Sequence, residues 1–170
     1  MNKNIKISKL DAAKRQLETA IRLYFNEADP VSIHTLVGAA HGILSDLNKK
    51  RGGKPMIVSD YSIKEEYKKE IRKKLKEAIN HFKHADQAPN AVIDFNPEIN
   101  DDYIYDACAK YGELTGENVP YFMIFFGWFA SKNINVFIFT PEHRQKIIDI
   151  QCINKVSYFS GMLSVSGHLT

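Results

Sequence analysis

Residues 121–130 read Tyr-Phe-Met-Ile-Phe-Phe-Gly-Trp-Phe-Ala, an apolar run that follows Pro120. Proline is favoured at the first position of a helix, and a helix that is apolar on nearly all sides lies in a core or in an oligomer interface. The apolar stretch from Val119 to Ala130 is far shorter than the roughly 20 residues that cross a bilayer. We therefore expect this helix to be the most buried of the fold, and we expect no membrane partner.

Five further amphipathic patterns surround this helix in the sequence. Each begins at a residue that is favoured as a helix N-cap: Ser8, Asp29, Ser62, Asn96 or Asn100, and Thr140. Apolar side chains then recur at steps of three and four residues, which is the period of a helix with one buried face. The sequence thus predicts an all-α, single-domain helical bundle of about six helices over residues 1–170. The segment 157–170 is weakly patterned and is expected to form a tail, and a short strand at 136–139 would lack a partner.

Composition and charge are those of an ordinary globular protein. Of the 170 residues, 44% are hydrophobic and 25% charged, and the net charge of +3 permits but does not require an anionic partner. Cys108 and Cys152 lack a Cys-x-x-Cys spacing and lie among apolar helical neighbours, so both are expected to be reduced core thiols. The first residues contain no apolar run of signal-peptide length, which favours a cytoplasmic location. Neither a Gly-rich phosphate loop nor a catalytic serine or cysteine arrangement is visible, and no cofactor is expected.

The densest group of chemically active side chains is Asn80-His81-Phe82-Lys83-His84-Ala85-Asp86, at the end of the third predicted helix. Histidine side chains change charge near neutral pH, which suits them to proton transfer. At about 100° per residue, Asn80 and His84 share a face that lies nearly opposite the apolar stripe of this helix. The pair is therefore expected to point towards solvent or a partner. We interpret Asn80, Lys83, His84 and Asp86 as one polar site and as the catalytic candidates, with His84 as a proton donor or phosphate contact.

The third predicted helix is also strongly basic. Off its apolar stripe it carries Arg72, Lys73 and Lys76 among other lysines and glutamates. One interpretation is a solvated helix face that is stabilised by opposite charges one turn apart. The other is a basic ridge that contacts the phosphates of a nucleic acid, with Arg72, Lys73 and Lys76 as its candidate residues.

The run Ile79-Asn80-His81-Phe82-Lys83-His84 resembles the Arg-Asn-x-x-x-His motif of HEPN domains, the higher eukaryote and prokaryote nucleotide-binding helical family. Asn80 matches the polar residue and His84 the histidine, whereas Ile79 stands where the family has its arginine. The resemblance implies a helical fold, a homodimer whose motif helices face each other across a cleft, and binding of RNA or a nucleotide. Active members of the family resemble metal-independent ribonucleases, in which the arginine and the histidine act on the scissile phosphate and the 2′-hydroxyl.

Two other functions fit the same part of the chain. His34 and His41 are seven residues apart on the second predicted helix, so they share one flank of it. If this flank packs against the third helix, His34 or His41 could join His81, His84 and Asp86 around a metal ion in a helical-bundle enzyme. The remaining interpretation is a non-catalytic interaction protein, such as the inert half of a defence or toxin–antitoxin pair, which the resemblance also allows.

Overall fold

The computed structural model describes residues 4–53, 73, 76–84, 86, 88–135 and 140–167. Within these residues the chain forms seven helices and no strand: α1 Lys9–Phe25, α2 Pro30–Lys50, α3 residues 76–83, α4 Ile99–Thr115, α5 Pro120–Lys132, α6 Pro141–Gln151 and α7 Lys155–Ser166. The predicted all-α bundle is confirmed, with one helix more than expected. The strand considered at 136–139 and the helix start at Ser62 lie outside the described residues.

The helix starts follow from local capping chemistry. Asp11 donates its backbone N–H to Ser8 Oγ at 3.0 Å, and the Ser8 N–H donates to the Asp11 carboxylate at 3.2 Å. This reciprocal pair satisfies two of the N–H groups that a helix start leaves without partners. Asp29 accepts from the Ser32 N–H at 2.7 Å, directly before Pro30. Short-range residue choices therefore fix where α1 and α2 begin.

The central helix of the bundle is α5, as the sequence predicted. Six of its 13 residues are buried, against seven of 17 in α4, and it packs on α1, α4, α6 and α7. Its apolar surface is not wholly enclosed, because the side chain of Met123 is 54% exposed. Among the described residues, no helix combines the length and the apolar character that crossing a membrane requires.

The weakly patterned tail contains a helix that the sequence did not predict. In α7, Tyr158, Phe159 and Leu163 are buried. Phe159 stacks on Phe25 of α1 with ring centroids 4.6 Å apart and planes within 5°, and the Tyr158 hydroxyl donates to Ile124 O at 3.0 Å. The described part of the tail, residues 157–167, therefore packs on the core through α7.

The two cysteines lie in different environments. Cys108 of α4 is buried, and burial raises the pKa of its thiol. Cys152 is exposed at the C-terminal end of α6, so the expectation of a second core thiol was wrong. The reason is that α6 has no buried residue, although its isoleucines suggested an inward face.

Candidate functional site

An open cleft lies at the C-terminal end of α3, on the outward side of this helix. It has a volume of ≈ 430 Å³ and is lined by Asn80, His81, His84, Asp86 and Ala88. His81 is partly buried, whereas the other four residues are exposed. The structure therefore brings together three of the four catalytic candidates, namely Asn80, His84 and Asp86.

Phe82 anchors this end of α3 to the rest of the bundle. Its ring lies edge-on to His34 of α2, with centroids 5.7 Å apart, and edge-on to Phe95 at 5.1 Å. The His81 ring also lies edge-on to Phe82, with centroids 5.9 Å apart. Because Phe82 points into these rings, the opposite face of the helix carries Asn80 outward, as the helical period predicted.

The last turn of α3 sets the spacing between Asn80 and His84. The His84 backbone N–H donates to Asn80 O at 2.9 Å, so the two residues are held one helical turn apart. The fourth candidate, Lys83, is exposed beside this pair but does not line the cleft. An amide and an imidazole thus share the cleft with the carboxylate of Asp86, a set that can donate and accept hydrogen bonds.

Ile79, at the position of the arginine in the HEPN motif, packs inward. A Cβ atom added to Gly38 of α2 would overlap Ile79 Cδ1 and would lie 2.6 Å from Ile79 Cγ1. The same atom would lie 3.5 Å from the Tyr103 hydroxyl. An apolar side chain therefore fills the contact between α3 and α2, and position 79 supplies no cation to the cleft.

This contact predicts opposite effects for two glycines of α2. Gly38→Ala is expected to destabilise the fold by about 1 kcal/mol, because overpacking costs roughly 1–3 kcal/mol and the better helix propensity of alanine returns about 1. Gly42→Ala is the matched control, since no atom lies within 4 Å of its added Cβ, and it should stabilise by about 0.5–1 kcal/mol. Urea denaturation measures both. Equal stabilisation by the two substitutions would contradict the packing of α3 on Gly38.

The two histidines of α2 are bonded to α4. His34 is fully buried, and its Nδ1–H donates to Asn100 Oδ1 at 2.8 Å, because an amide oxygen can only accept. The Nε2–H of His41 donates to the buried carboxylate of Asp106 at 2.9 Å. Burial, together with the charge of Asp106, raises the pKa of the neighbouring Tyr103. These bonds fasten α2 to α4.

The metal alternative needed His34 or His41 to meet His81 of α3 and His84, the residue that follows this helix. Among the described residues, no group of three or more His, Cys, Asp or Glu side chains could hold a metal ion. His81 and His84 line the cleft, whereas His34 and His41 bond to α4. The four histidines therefore do not form one ligand set.

Exposed lysine side chains lie near the cleft in the same part of the chain. Lys73, Lys76 and Lys83 are all exposed, and Arg72 lies outside the described residues. At about 100° per residue, Lys76 and Lys83 fall within about 20° of each other on one flank of α3. The cleft thus lies near exposed lysines of the same part of the chain.

A second polar cluster was not predicted from the sequence. At the junction of α1, α4, α5 and α7, the Lys155 ammonium lies 3.2 Å from the centroid of the Tyr24 ring. Lys132 Nζ lies 2.7 Å from Asp101 Oδ2 beside it. The only local signal was the acidic first turn of α4, since the other members come from distant parts of the chain.

The cleft contains both hydrogen-bond donors and acceptors, which can bind a ligand that carries phosphate and hydroxyl groups. No family model, no curated protein and no solved structure matches this chain.

Proposed function

We propose that this chain binds RNA or a nucleotide in the cleft at the end of α3. The observation that carries the proposal is the meeting of Asn80, His81, His84 and Asp86 in one open cleft of ≈ 430 Å³. Apart from His81 these residues are exposed, so core packing does not account for their clustering. The HEPN-like motif in the same residues supports the same ligand.

Each polar side chain of the cleft can be assigned a contact on a ribonucleotide. The Asn80 amide and an imidazole N–H of His84 donate hydrogen bonds to phosphate oxygens, and bonds to a charged acceptor are the stronger kind. The Asp86 carboxylate accepts from a ribose 2′-hydroxyl, which is the group that distinguishes RNA from DNA. Lys73, Lys76 and Lys83 supply the positive potential that draws a phosphate backbone along the helix.

The proposal is limited to binding. Cleavage through a pentavalent phosphate needs a fixed cation next to the reacting atoms, and Ile79 fills the motif position that would provide it. Ribonuclease activity therefore stays a prediction of the resemblance. Assembly as a homodimer also stays a prediction, which light scattering at micromolar concentration checks directly.

His84→Ala is expected to weaken RNA binding at least tenfold and to change the free energy of unfolding by no more than about 0.5 kcal/mol. The reason is that His84 is exposed and contributes a hydrogen-bond donor to the ligand alone. Fluorescence anisotropy with a labelled 20-nucleotide single-stranded RNA in 50 mM salt measures the affinity. His143→Ala is the matched control, because His143 is an exposed histidine on α6.

Salt and sugar dependence complete this test. Binding should weaken steeply between 50 and 200 mM salt, and Lys83→Gln should reduce the salt slope by about one unit. A DNA of the same sequence should bind less tightly than the RNA. Absence of binding of both the RNA and a single ribonucleotide at 50 mM salt, or equal losses in the His84 and His143 variants, would refute the proposal.

A further inference from the structure

A second hollow lies beside the cleft, on the side towards the start of α3. Its volume is ≈ 400 Å³, and its walls include Glu77 and Ala78 of α3 and residues 92–96. Glu77 precedes His84 by seven residues, so the two positions share one face of the helix and lie about 10 Å apart along its axis. The connection from α3 to α4 lines both spaces, because Asp86 borders the cleft and residues 92–96 border the hollow. The hollow and the cleft can therefore hold two parts of one ligand.

The inner wall of the hollow is apolar and is held in place by packing. Ala78 is buried, and Ile93 and Phe95 are partly buried. The Phe95 ring lies edge-on to the rings of His34 and Phe82, with a centroid distance of 5.1 Å to each. An apolar lining with a few polar groups, at a volume of this size, is typical of small-molecule sites. The wall therefore offers an apolar surface to a flat aromatic ring.

The rim of the hollow carries three polar side chains with different hydrogen-bonding roles. Glu77 and Asp94 are exposed, and an ionised carboxylate can only accept hydrogen bonds. In the part of the chain that the structure describes, neither carboxylate has an ion-pair partner. The side-chain oxygen of Asn96 accepts the Glu98 N–H at 3.0 Å, which leaves the NH2 group of Asn96 to donate to a ligand. The rim thus combines two acceptors with one donor group.

We propose that the hollow binds the base of the nucleotide and selects guanine. This inference rests on the proposed binding of RNA or a nucleotide in the cleft. The Watson–Crick edge of guanine presents the N1–H and the 2-amino group as donors, beside O6 as an acceptor. Glu77 and Asp94 accept from the two donor groups, and the NH2 group of Asn96 donates to O6. With the base in the hollow, the phosphate reaches Asn80 and His84 of the cleft.

The other bases match this rim less well. Adenine presents one amino group and, at N1, an acceptor that an ionised carboxylate repels. Cytosine presents a single amino group beside two acceptors, and uracil presents a single N–H between two acceptors. The single rings of both pyrimidines also cover less of the apolar wall than a purine does. A bidentate contact to a base edge discriminates by about tenfold or more, so guanine should bind most tightly.

Titration of the 15N-labelled protein with 5′-GMP, IMP, AMP and CMP, followed by NMR in 50 mM salt, tests this proposal. GMP should bind at least about tenfold more tightly than AMP. IMP keeps the N1–H and the O6 of guanine but lacks the 2-amino group, so its affinity should lie between these two. GMP should shift the backbone amide signals of residues 92–96 together with those of His81 and His84, because one ligand spans both spaces.

Glu77→Gln is expected to bring the ratio of GMP to AMP affinity to about one, because an amide offers one acceptor and one donor and so matches adenine. Asn96→Ala should weaken GMP binding several-fold through loss of the donor to O6. Glu98→Gln is the matched control, since Glu98 is an exposed carboxylate of the same segment that does not line the hollow. This control should keep the affinity ratio of the wild type.

The outcomes separate guanine selection from the proposed function. Equal affinities for the four nucleotides, or an unchanged ratio in Glu77→Gln, would overturn guanine selection. The proposed function would stand in that case if His84→Ala still weakened binding. Failure of all four nucleotides to bind would overturn guanine selection as well, and the titration with RNA would then decide the proposed function separately.

Discussion

Phe25→Ala is expected to lower the free energy of unfolding by about 4 kcal/mol. Phe25 is fully buried, and its ring stacks on Phe159 of α7 at 4.6 Å. It also meets Phe125 and Trp128 of α5 edge-on, at 6.3 and 5.9 Å. Alanine would remove the ring that joins α1, α5 and α7 and would leave a cavity among large, rigid neighbours. Urea denaturation followed by circular dichroism measures the loss.

Met123→Ala is the control for this prediction, since Met123 is apolar and lies on α5 but is 54% exposed. It should change stability by no more than about 0.5 kcal/mol. A cost below about 1 kcal/mol for Phe25→Ala would mean that the ring is not enclosed by α5 and α7. That result would contradict the packing of α7 against the core.

The parts of the fold that the sequence predicted are those that local chemistry determines. Asp29 caps α2 by accepting a hydrogen bond from the backbone N–H three residues later, and Pro30 fixes the φ angle of the first helical residue. Both residues can be identified as a helix start from the sequence. The burial of α5 could also be predicted from the sequence, because few polar side chains interrupt residues 121–130. Both features depend on residues within one or two helical turns of each other, so they could be predicted without knowledge of tertiary contacts.

The helix α7 was missed because its burial depends on distant partners. Between Phe159 and Leu163 lie Ser160, Gly161 and the exposed Met162, which dilute the helical period. What fixes the aromatic residues of α7 is the ring of Phe25, more than a hundred residues earlier in the chain. A pattern search along one segment does not detect a contact of this range.

The candidate site also has a part that the sequence predicted and a part that it did not. The shared outward face of Asn80 and His84 followed from the period of α3, and the described structure places both in the cleft. The bonds of His34 and His41 to α4 did not follow, because they span 66 and 65 residues and depend on how α2 and α4 align. The metal alternative required one of these histidines to join His81 and His84, whereas His34 meets α3 only through the ring of Phe82 and His41 bonds to Asp106.

Asn100 shows how one residue type has two structural uses. The sequence offered Asn96 or Asn100 as the start of the fourth helix, since asparagine is a favoured N-cap. In the structure neither residue is the N-cap, because α4 begins at Ile99 after Glu98; Asn96 accepts the Glu98 N–H at 3.0 Å in the turn before the helix. Asn100 is buried inside the first turn instead, where its amide bonds to His34 and to Pro30 O. Only the tertiary environment distinguishes the two.

Asn100→Ala is therefore expected to destabilise the protein by about 3 kcal/mol. The Asn100 side chain accepts from His34 Nδ1–H at 2.8 Å and donates to Pro30 O at 3.1 Å, and the residue is only 2% exposed. Alanine removes the acceptor of a buried N–H and leaves space between α2 and α4. The free energy of unfolding from urea denaturation is the measurement.

Asn96→Ala is the matched control, because it removes an exposed local hydrogen bond and should cost no more than about 1 kcal/mol. A double-mutant cycle of Asn100→Ala with His34→Ala should give a coupling energy of about 1 kcal/mol or more, as expected for directly bonded side chains. Additive effects of the two substitutions would contradict the His34–Asn100 bond. His34 also contacts Phe82 of α3, so that result would also question the packing of α3 against α2.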